Sequence, residues 1–294
     1  MKRADKPVLA DALGRTQPVV ATLALMPLDA RIATSCGFPF VYLSGGALGY
    51  AFGVSEALLS IDEIAAAARR IDLYSEAGVI VDIGVGFGDP VHVARTIVEV
   101  EAAGAVAVEL EDQVAPKRVS HHRGIEHLVD TDMMVAKISQ AVAARSRDDM
   151  LIIARTGAVS NESFSAALER LDAYRAAGAD VLMLMPQDRK QIESVRERFD
   201  CPLATITAMD SLHTPRWQES GWDLFIDPFT SQVVSVRSVE AALAGFSRSG
   251  ATGSDLRELF EDYHRLDKQA GLEPLYRIED MTTEKQETVE TEGR

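Results

Sequence analysis

The chain has 294 residues, 47% of them hydrophobic and 26% charged, which is enough for one large folded domain or two small ones and unlike a disordered chain. Its formal net charge of −15 argues against a general nucleic-acid binder, which needs a basic surface. The sequence shows no run of about eighteen apolar residues and no apolar signal-peptide stretch, so we expect a cytoplasmic protein without a membrane span.

Short apolar runs recur at regular intervals and predict eight β-strands, at Val19–Leu25, Phe40–Leu43, Val79–Val81, Ala105–Leu110, Leu151–Ala154, Val181–Met185, Leu203–Ile206 and Leu224–Ile226. Apolar residues three and four apart predict helices between them, at Ile61–Glu76, Pro90–Ala103, Thr131–Arg145, Glu162–Ala177 and Asp188–Phe199. This alternation predicts an α/β fold, a parallel (β/α)8 TIM barrel. A doubly wound open sheet is the alternative, but no glycine-rich dinucleotide fingerprint opens a helix.

Glycines stand between three of the predicted helices and the strands that follow. Gly78, Gly104 and Gly178 each come directly after a helical pattern and before an apolar run. Glycine adopts the left-handed backbone conformation that ends many helices. We therefore expect all three to be C-terminal helix caps.

The end of the chain follows a different pattern. Ser254–Ala270 is a further helical segment, and Glu279–Arg294 is rich in Glu and Thr with little to bury, so a mobile tail is expected. We predict a barrel domain over residues 1–250 and a helical extension with an acidic tail over residues 251–294.

Acidic residues end the third and fourth predicted strands, where barrel enzymes place their active sites. Glu109 and Glu111 alternate along one strand, so their side chains face the same side. Asp82 ends the neighbouring strand, and Lys117 and Arg118 follow in a basic loop. Oxygen ligands without cysteine or clustered histidine favour Mg²⁺ or Mn²⁺ over zinc. Acids that are simply solvated at a strand end are the ordinary alternative.

Small residues follow the second strand, directly after Tyr42. Ser44, Gly45 and Gly46 would let backbone amides approach a carboxylate or a phosphate, although such a sequence is more often just a turn.

Polar residues also end the fifth and seventh strands. The guanidinium of Arg155 is suited to binding a carboxylate with two hydrogen bonds, and the alternative is a salt bridge to Glu109 or Glu111 across the barrel mouth. Thr205 and Thr207 offer neutral hydroxyls for substrate binding. These positions complete a predicted site for a small carboxylate.

Together these motifs make the chain resemble the isocitrate lyase/phosphoenolpyruvate mutase superfamily over roughly residues 10 to 250. The motifs are YLSGG at Tyr42–Gly46, VIVDIGVGFG at Val79–Gly88, ELEDQ at Glu109–Gln113, PKR at Pro116–Arg118 with His121, and IIART at Ile152–Thr156. The resemblance implies a magnesium-dependent barrel enzyme that acts on 2-oxo acids, or acids that yield them, through an enolate-like species. It also implies homo-oligomers, dimers or tetramers, that exchange a C-terminal helix.

The resemblance also implies roles for individual residues. Asp82 matches the acid that binds magnesium directly, and Glu111 matches one that reaches the ion through water. Ser44–Gly46 match the cradle for an oxyanion or carboxylate, and Arg155 matches the substrate-binding arginine. Glu56 stands where the family has a loop aspartate, once a gap is allowed.

Several positions depart from the family pattern. Gly84 replaces a second aspartate next to the metal-binding acid, and Val119 replaces the cysteine thought to donate a proton. Gly157 replaces another aspartate, while Thr205 and Ala208 occupy positions that are polar or acidic in the family. The departures disfavour an isocitrate or 2-methylisocitrate lyase of the usual mechanism and indicate a substrate whose far end is less charged.

Three functions remain open at this stage. The first is a lyase that breaks or forms a carbon–carbon bond next to a 2-oxo or 2-hydroxy carboxylate, with Glu109, Arg155 and a proton donor, His121 or Ser120, as catalytic residues. The second is a decarboxylase of the oxaloacetate type, or an enzyme acting on the phosphorus–carbon bond of phosphonopyruvate. The third is a barrel that has lost catalysis and binds a ligand. Loop histidines that are merely solvated are the ordinary alternative for His121.

Overall fold

The computed structural model describes residues 6–15 and 17–284, apart from the side chains of His213 and Arg216. Within these residues, eight parallel strands close into one barrel in the order of the sequence. The strands are β1 (Val19–Leu23), β2 (Phe40–Leu43), β3 (Gly78–Asp82), β4 (Ala105–Glu111), β5 (Leu151–Arg155), β6 (Val181–Met183), β7 (Leu203–Ile206) and β8 (Leu224–Asp227). Pairing of β1 with β8 closes the barrel, so the predicted (β/α)8 fold is confirmed and the open sheet is excluded.

Helices surround or follow the strands along the described chain. They are α1 (Leu9–Ala12), α2 (Pro27–Ser35), α3 (Gly45–Phe52), α4 (Ile61–Tyr74), α5 (Pro90–Ala102), α6 (Thr131–Ala144), α7 (Ala158–Asn161), α8 (Phe164–Ala176), α9 (Arg189–Arg198), α10 (Pro215–Gln218), α11 (Thr230–Ser249), α12 (Leu256–Ala270) and α13 (Glu273–Met281). Short 3₁₀ turns at Glu56–Leu58, Val119–Arg123 and Met209–His213 interrupt three loops.

Alternate strand residues face two separate apolar layers. One layer fills the barrel interior and includes Tyr42, Ile80 and Ala107, whereas the other packs against the helices. Both faces of a parallel sheet are buried, which explains why the strands are almost continuously apolar. The alternation also decides which side chains at the strand ends reach the barrel mouth.

Some predicted boundaries and caps differ from the structure. Strand β1 ends at Leu23 and β6 at Met183, two residues earlier than predicted in each case. Gly104 and Gly178 have φ of +95° and +102°, as expected for left-handed caps. The prediction for Gly78 is wrong, because this residue begins β3 without a positive φ. A Cβ atom there would lie 2.8 Å from the Phe40 ring, so close packing requires the glycine.

The chain divides into two compact units, Met1–Ser235 and Val236–Arg294. In the second unit, Asp255 caps α12 by accepting hydrogen bonds from backbone amides of the first turn, and α13 follows as a helix that the sequence did not predict. Residues 285–294 of the predicted tail lie outside the described residues. The domain boundary after residue 250 stays a prediction. No described helix has both the length and the hydropathy needed to cross a membrane.

Candidate active site

Polar side chains from four neighbouring strands meet at the carboxyl end of the barrel. Tyr42, Asp82, Glu109, Glu111 and Arg155 continue the interior-facing positions of β2 to β5. In the strand register, Asp82 pairs with Glu109 and Glu111 pairs with Arg155. The period-two alternation that puts apolar side chains inside the barrel thus brings these polar ones together above them.

Glu109 lies at the centre of this group and is fully buried. The Tyr42 hydroxyl donates a hydrogen bond to one carboxylate oxygen, and Arg155 NH1 donates to the other at 3.1 Å. Burial, together with the nearby charges of Asp82 and Glu109, raises the pKa of Tyr42 well above its usual value. Tyr42 therefore stays neutral and donates its hydroxyl proton in the hydrogen bond to Glu109. The salt bridge considered for Arg155 is present in the structure.

Asp82 is held by two backbone amides. Gly84 N donates to Oδ1 at 2.8 Å and Gly45 N donates to Oδ2 at 2.9 Å. Burial and the negative charges of Glu109 and Glu56 raise the pKa of Asp82 to about 7. The Gly45 amide of the predicted substrate cradle is thus directed at Asp82. A Cβ atom at Gly45 would lie 3.0 Å from Glu56 Oε2 and 3.2 Å from Asp82 Oδ2, so a larger residue there would press on both carboxylates.

Glu56 enters the same site from the 3₁₀ turn after α3. Its carboxylate forms ion pairs with Lys117 and, at 2.5 Å, with His121 Nε2. The Lys117 ammonium also pairs with Glu111 and so connects two acids. Burial alone would raise the pKa of Glu56, but the hydrogen bonds and charges of His121 and Lys117 lower it to about 2.

The basic loop after β4 lies against α3 and the turn that follows it. His122 forms hydrogen bonds with Tyr50 at 3.0 Å and Ser55 at 2.9 Å, while His121 Nδ1 contacts the Arg118 carbonyl at 2.7 Å. Neither histidine is merely solvated. Ser120 lies in the same turn and is half-buried, and the Val119 side chain is 54% exposed.

A cavity of about 270 Å³ adjoins the site. Its lining combines charged side chains, among them Glu56, Asp82 and Lys117, with apolar ones such as Leu59 and Ile64. Pockets that bind small molecules commonly have such a mixed lining.

The structure does not bring every predicted residue to the mouth. Thr205 pairs in register with Phe225, which belongs to the outer layer, so its hydroxyl points towards the helices. That hydroxyl is buried and has no hydrogen-bond partner among the residues that the structure describes. Thr207 bonds Ser211 Oγ at 2.5 Å, and the Ser44 hydroxyl accepts from the Ala47 amide as the cap of α3.

Two further charged residues lie at the site. Lys117, which the sequence places in the basic loop beside the predicted acids, pairs with Glu56 and Glu111. Glu126 lies 3.6 Å from Arg155 NH2, with Oε1 as the nearer atom. No sequence pattern indicates Glu126, which lies in the loop after β4, 29 positions before Arg155 in the chain.

The donor chemistry of the mouth fits a hard cation. Across the described ranges, no three His, Cys, Asp or Glu side chains are already grouped as metal ligands. Mg²⁺, however, keeps several waters and is usually bound through one or two carboxylates. Burial first, and then the charges of Glu109 and Glu56, raise the pKa of Asp82, and a divalent cation would stabilise its ionised form. Asp82 and Glu111 are therefore suitable oxygen donors, with Glu56 nearby.

Comparisons with known proteins agree with this geometry. The profile of the phosphoenolpyruvate phosphomutase family matches residues 10–244. The chain is 36% identical over 272 residues to a probable 2-methylisocitrate lyase of Corynebacterium glutamicum, covering 85% of this chain and 88% of the relative. It is 31% identical to the 2,3-dimethylmalate lyase of Eubacterium barkeri, covering 92% and 96%. A crystal structure of phosphonopyruvate hydrolase with oxalate and Mg²⁺ superposes with a TM-score of 0.81 at 26% identity, covering 94% and 98%.

The closed barrel and its polar mouth define a (β/α)8 enzyme, and the relatives named as lyases narrow the class to carbon–carbon lyases. The chain belongs to the phosphoenolpyruvate mutase/isocitrate lyase superfamily, as the motifs predicted.

Proposed function

We propose that the protein is a magnesium-dependent lyase that cleaves, or in reverse forms, a carbon–carbon bond next to a 2-oxo or 2-hydroxy carboxylate through an enolate-like intermediate. The observation that carries this proposal is that Asp82, Glu109, Glu111 and Arg155 converge at the barrel mouth. The loop residue His121 is linked to this group by its ion pair with Glu56. Such a site combines carboxylate binding, acid–base groups and cation ligands.

Asp82 and Glu111 would hold the ion, with Glu56 as a further acid, and Mn²⁺ shares the same preference for oxygen ligands. A bound Mg²⁺ would supply Lewis-acid stabilisation of negative charge on the substrate's oxygens. Arg155 would bind the substrate carboxylate, and the small residues Ser44–Gly46 would allow that carboxylate to approach the backbone closely.

Glu109 is suited to act as a base in cleavage of a 2-hydroxy acid. It is a buried carboxylate that accepts hydrogen bonds from Tyr42 and Arg155. In this scheme the substrate hydroxyl proton passes to Glu109, the carbon–oxygen bond becomes a carbonyl, and the electron pair of the broken carbon–carbon bond forms the enolate of the second product. Arg155 offsets the negative charge that develops on the substrate.

His121 is suited to return a proton to the enolate carbon. Burial lowers its pKa, but the hydrogen bonds to Glu56 and to the Arg118 carbonyl, together with the charge of Glu56, outweigh that effect, so the net pKa is raised and the protonated imidazole is favoured. Ser120 in the same turn is the second candidate donor. Val119 cannot donate a proton, which distinguishes this chain from relatives that carry the family's cysteine.

Decarboxylation of a 2-oxo acid is the second candidate. It is favoured by Val119, because loss of carbon dioxide leaves the same enolate and does not require a cysteine at that position. Cleavage of a phosphorus–carbon bond and ligand binding without catalysis are the further outcomes that an experiment distinguishes.

Proton NMR tests the proposal directly. The enzyme is incubated with Mg²⁺ and a panel of 2-oxo and 2-hydroxy acids in deuterated water, alongside an Asp82→Ala variant and an Asp62→Ala control on the exposed face of α4. We expect cleavage, decarboxylation or deuterium exchange at carbon three in the wild type and the control, and none in the Asp82→Ala variant. The products identify the bond.

Exchange that persists in the Asp82→Ala variant would contradict the assignment of Asp82. If the wild type shows neither chemistry nor Mg²⁺ binding, the barrel is a binding protein and the lyase proposal is wrong.

We also propose that the protein is a homo-oligomer of at least two subunits that binds small carboxylates. Supporting this, α12 and α13 in the second unit expose large apolar side chains, among them Leu259, Phe260, Tyr263 and Tyr276. Exposed apolar patches of this kind mark interaction surfaces. Light scattering of the full chain distinguishes a dimer or tetramer from a monomer. The exchange of a C-terminal helix and the cytoplasmic location stay predictions.

A further inference from the structure

Lys117 places a positive charge between two acids of the barrel mouth. Its ammonium forms ion pairs with Oε1 of Glu56 and with Oε1 of Glu111, both close enough for charge-assisted hydrogen bonds. The Lys117 side chain is 9% exposed, and those of Glu56 and Glu111 are 10% and 2% exposed. The ammonium therefore connects two shielded carboxylates, one from the turn after α3 and one from the end of β4.

The Glu111 carboxylate depends on this contact. Its Oε2 atom accepts a hydrogen bond from Gln113 Nε2 at 3.0 Å and lies 3.5 Å from Arg155 NH1. Its Oε1 atom is buried and, among the residues that the structure describes, pairs with Lys117 alone. A cation that approaches Oε1 of Glu111 therefore meets the Lys117 ammonium there.

Asp82 borders the same group of charges. Its Oδ2 atom and Oε2 of Glu56 both lie close to Gly45, as the short distances to a Cβ atom at that position show. Asp82, Glu56 and Lys117 also line the same cavity. The ammonium consequently lies among the three acids that the proposed function assigns to the ion.

The oxygens of Glu56 and Glu111 do not readily serve two cations at once. Mg²⁺ prefers carboxylate and water oxygens, and an ammonium donates its hydrogen bonds to the same carboxylate atoms. A divalent ion and an ammonium that share a carboxylate repel each other, and burial limits the screening of that repulsion by water and salt. Contact with one cation therefore disfavours contact with the other.

We propose that Lys117 is an internal competitor of the divalent cation: its ammonium leaves Glu56 and Glu111 when the ion binds there, and this exchange sets the affinity of the site for Mg²⁺. The inference rests on the proposed function, which assigns the ion to Asp82, Glu111 and Glu56. It goes beyond that function, because it identifies a residue that opposes the ion instead of holding it.

Calorimetric titration of the full chain with Mg²⁺ alone tests the affinity. Lys117→Met removes the charge and keeps an unbranched side chain, while Lys190→Met makes the same change at an exposed position of α9. We expect Lys117→Met to bind Mg²⁺ at least about tenfold more tightly than the wild type, because the acids lose their competing cation. Lys190→Met is the matched control and should bind Mg²⁺ as the wild type does.

Acetylation of lysine side chains by acetic anhydride, followed by mass spectrometry, tests the displacement in the wild type itself. Lys117 should react slowly without Mg²⁺, because its amine is shielded and paired with two carboxylates. Saturating Mg²⁺ should raise its rate of acetylation at least about fivefold and change that of Lys190 by less than about twofold, since only Lys117 is released. This measurement decides the question even if the Lys117→Met variant does not fold.

The outcomes separate the inference from the function on which it rests. Tighter binding of Mg²⁺ by Lys117→Met, or binding by this variant alone, supports the competition, and equal or weaker binding by the folded variant contradicts it. If the wild type binds Mg²⁺ but acetylation of Lys117 does not respond, the ammonium stays in place and the inference is wrong while the cation site stands. If neither protein binds Mg²⁺, with or without oxalate, the magnesium dependence of the proposed function fails and the inference fails with it.

Discussion

Two sides of the barrel mouth, the ends of β2–β5 and the ends of β7–β8, contain similar residue types in different surroundings. Asp82 ends β3 facing the interior among other acids, and burial with their charges raises its pKa to about 7. Asp227 ends β8 facing the helices and accepts hydrogen bonds from the amides of Met209, Phe229 and Thr230. The comparison teaches that the face of the strand to which an acid at its end points distinguishes a candidate metal ligand from a residue that accepts hydrogen bonds from backbone amides.

The largest expected effect is the loss of activity in an Asp82→Asn variant. The amide keeps the shape of the side chain but removes the charge that the proposed ion requires. Turnover should fall about 10³-fold, equivalent to about 4 kcal/mol in the transition state. Steady-state rates with saturating Mg²⁺ measure this, and a loss below tenfold would contradict the assignment of Asp82 as a ligand of the ion.

The next effect concerns His121 and the pH dependence of turnover. Because its net pKa is raised, the protonated donor persists above the usual pH of 6.5 and is lost as the pH rises through the raised value. Turnover should therefore decline on the alkaline side, and a His121→Asn variant should be about 100-fold slower without that decline. An unchanged alkaline limb in the variant assigns the titration to another group.

On the other side of the mouth, an Asp227→Asn variant should lose stability and keep its activity. The substitution replaces one carboxylate oxygen, which accepts hydrogen bonds, with an NH2 group, which donates them. A backbone N–H such as that of Met209 is then left without an acceptor. The free energy of unfolding should fall by about 1–3 kcal/mol. Denaturant titration measures that loss. A fall in turnover at a temperature where the variant is fully folded would place Asp227 in the catalytic machinery instead.

The smallest effect is expected at Thr205, which the sequence predicted to bind substrate. Its buried hydroxyl has no hydrogen-bond partner in the described part of the chain, so Thr205→Val should leave KM unchanged and alter the free energy of unfolding by less than about 1 kcal/mol, in the stabilising direction. A severalfold rise in KM would show that Thr205 contributes to substrate binding after all.

Much of the fold followed from local pattern. The strand periodicity predicted β2 and β7 to the residue, while β1 and β6 were predicted too long because apolar residues continue past the last pairing. The Gly78 prediction failed because a glycine required for packing against Phe40 has the same sequence context as a cap.

The sequence predicted Asp82, Glu109, Glu111 and Arg155 because strand ends and period-two alternation are properties of short segments. It placed Glu56 only through a gapped motif match, and the structure brings that residue against Lys117 and His121.

By itself, then, the sequence determined the barrel, the superfamily and the acids that end the central strands, since each is encoded in contiguous residues. Only the tertiary structure decided that Thr205 faces away from the mouth, that Lys117 connects two acids, and that Glu126 fills the space beside Gly157. These depend on barrel register and on loops folding back over long chain separations, which no local pattern records.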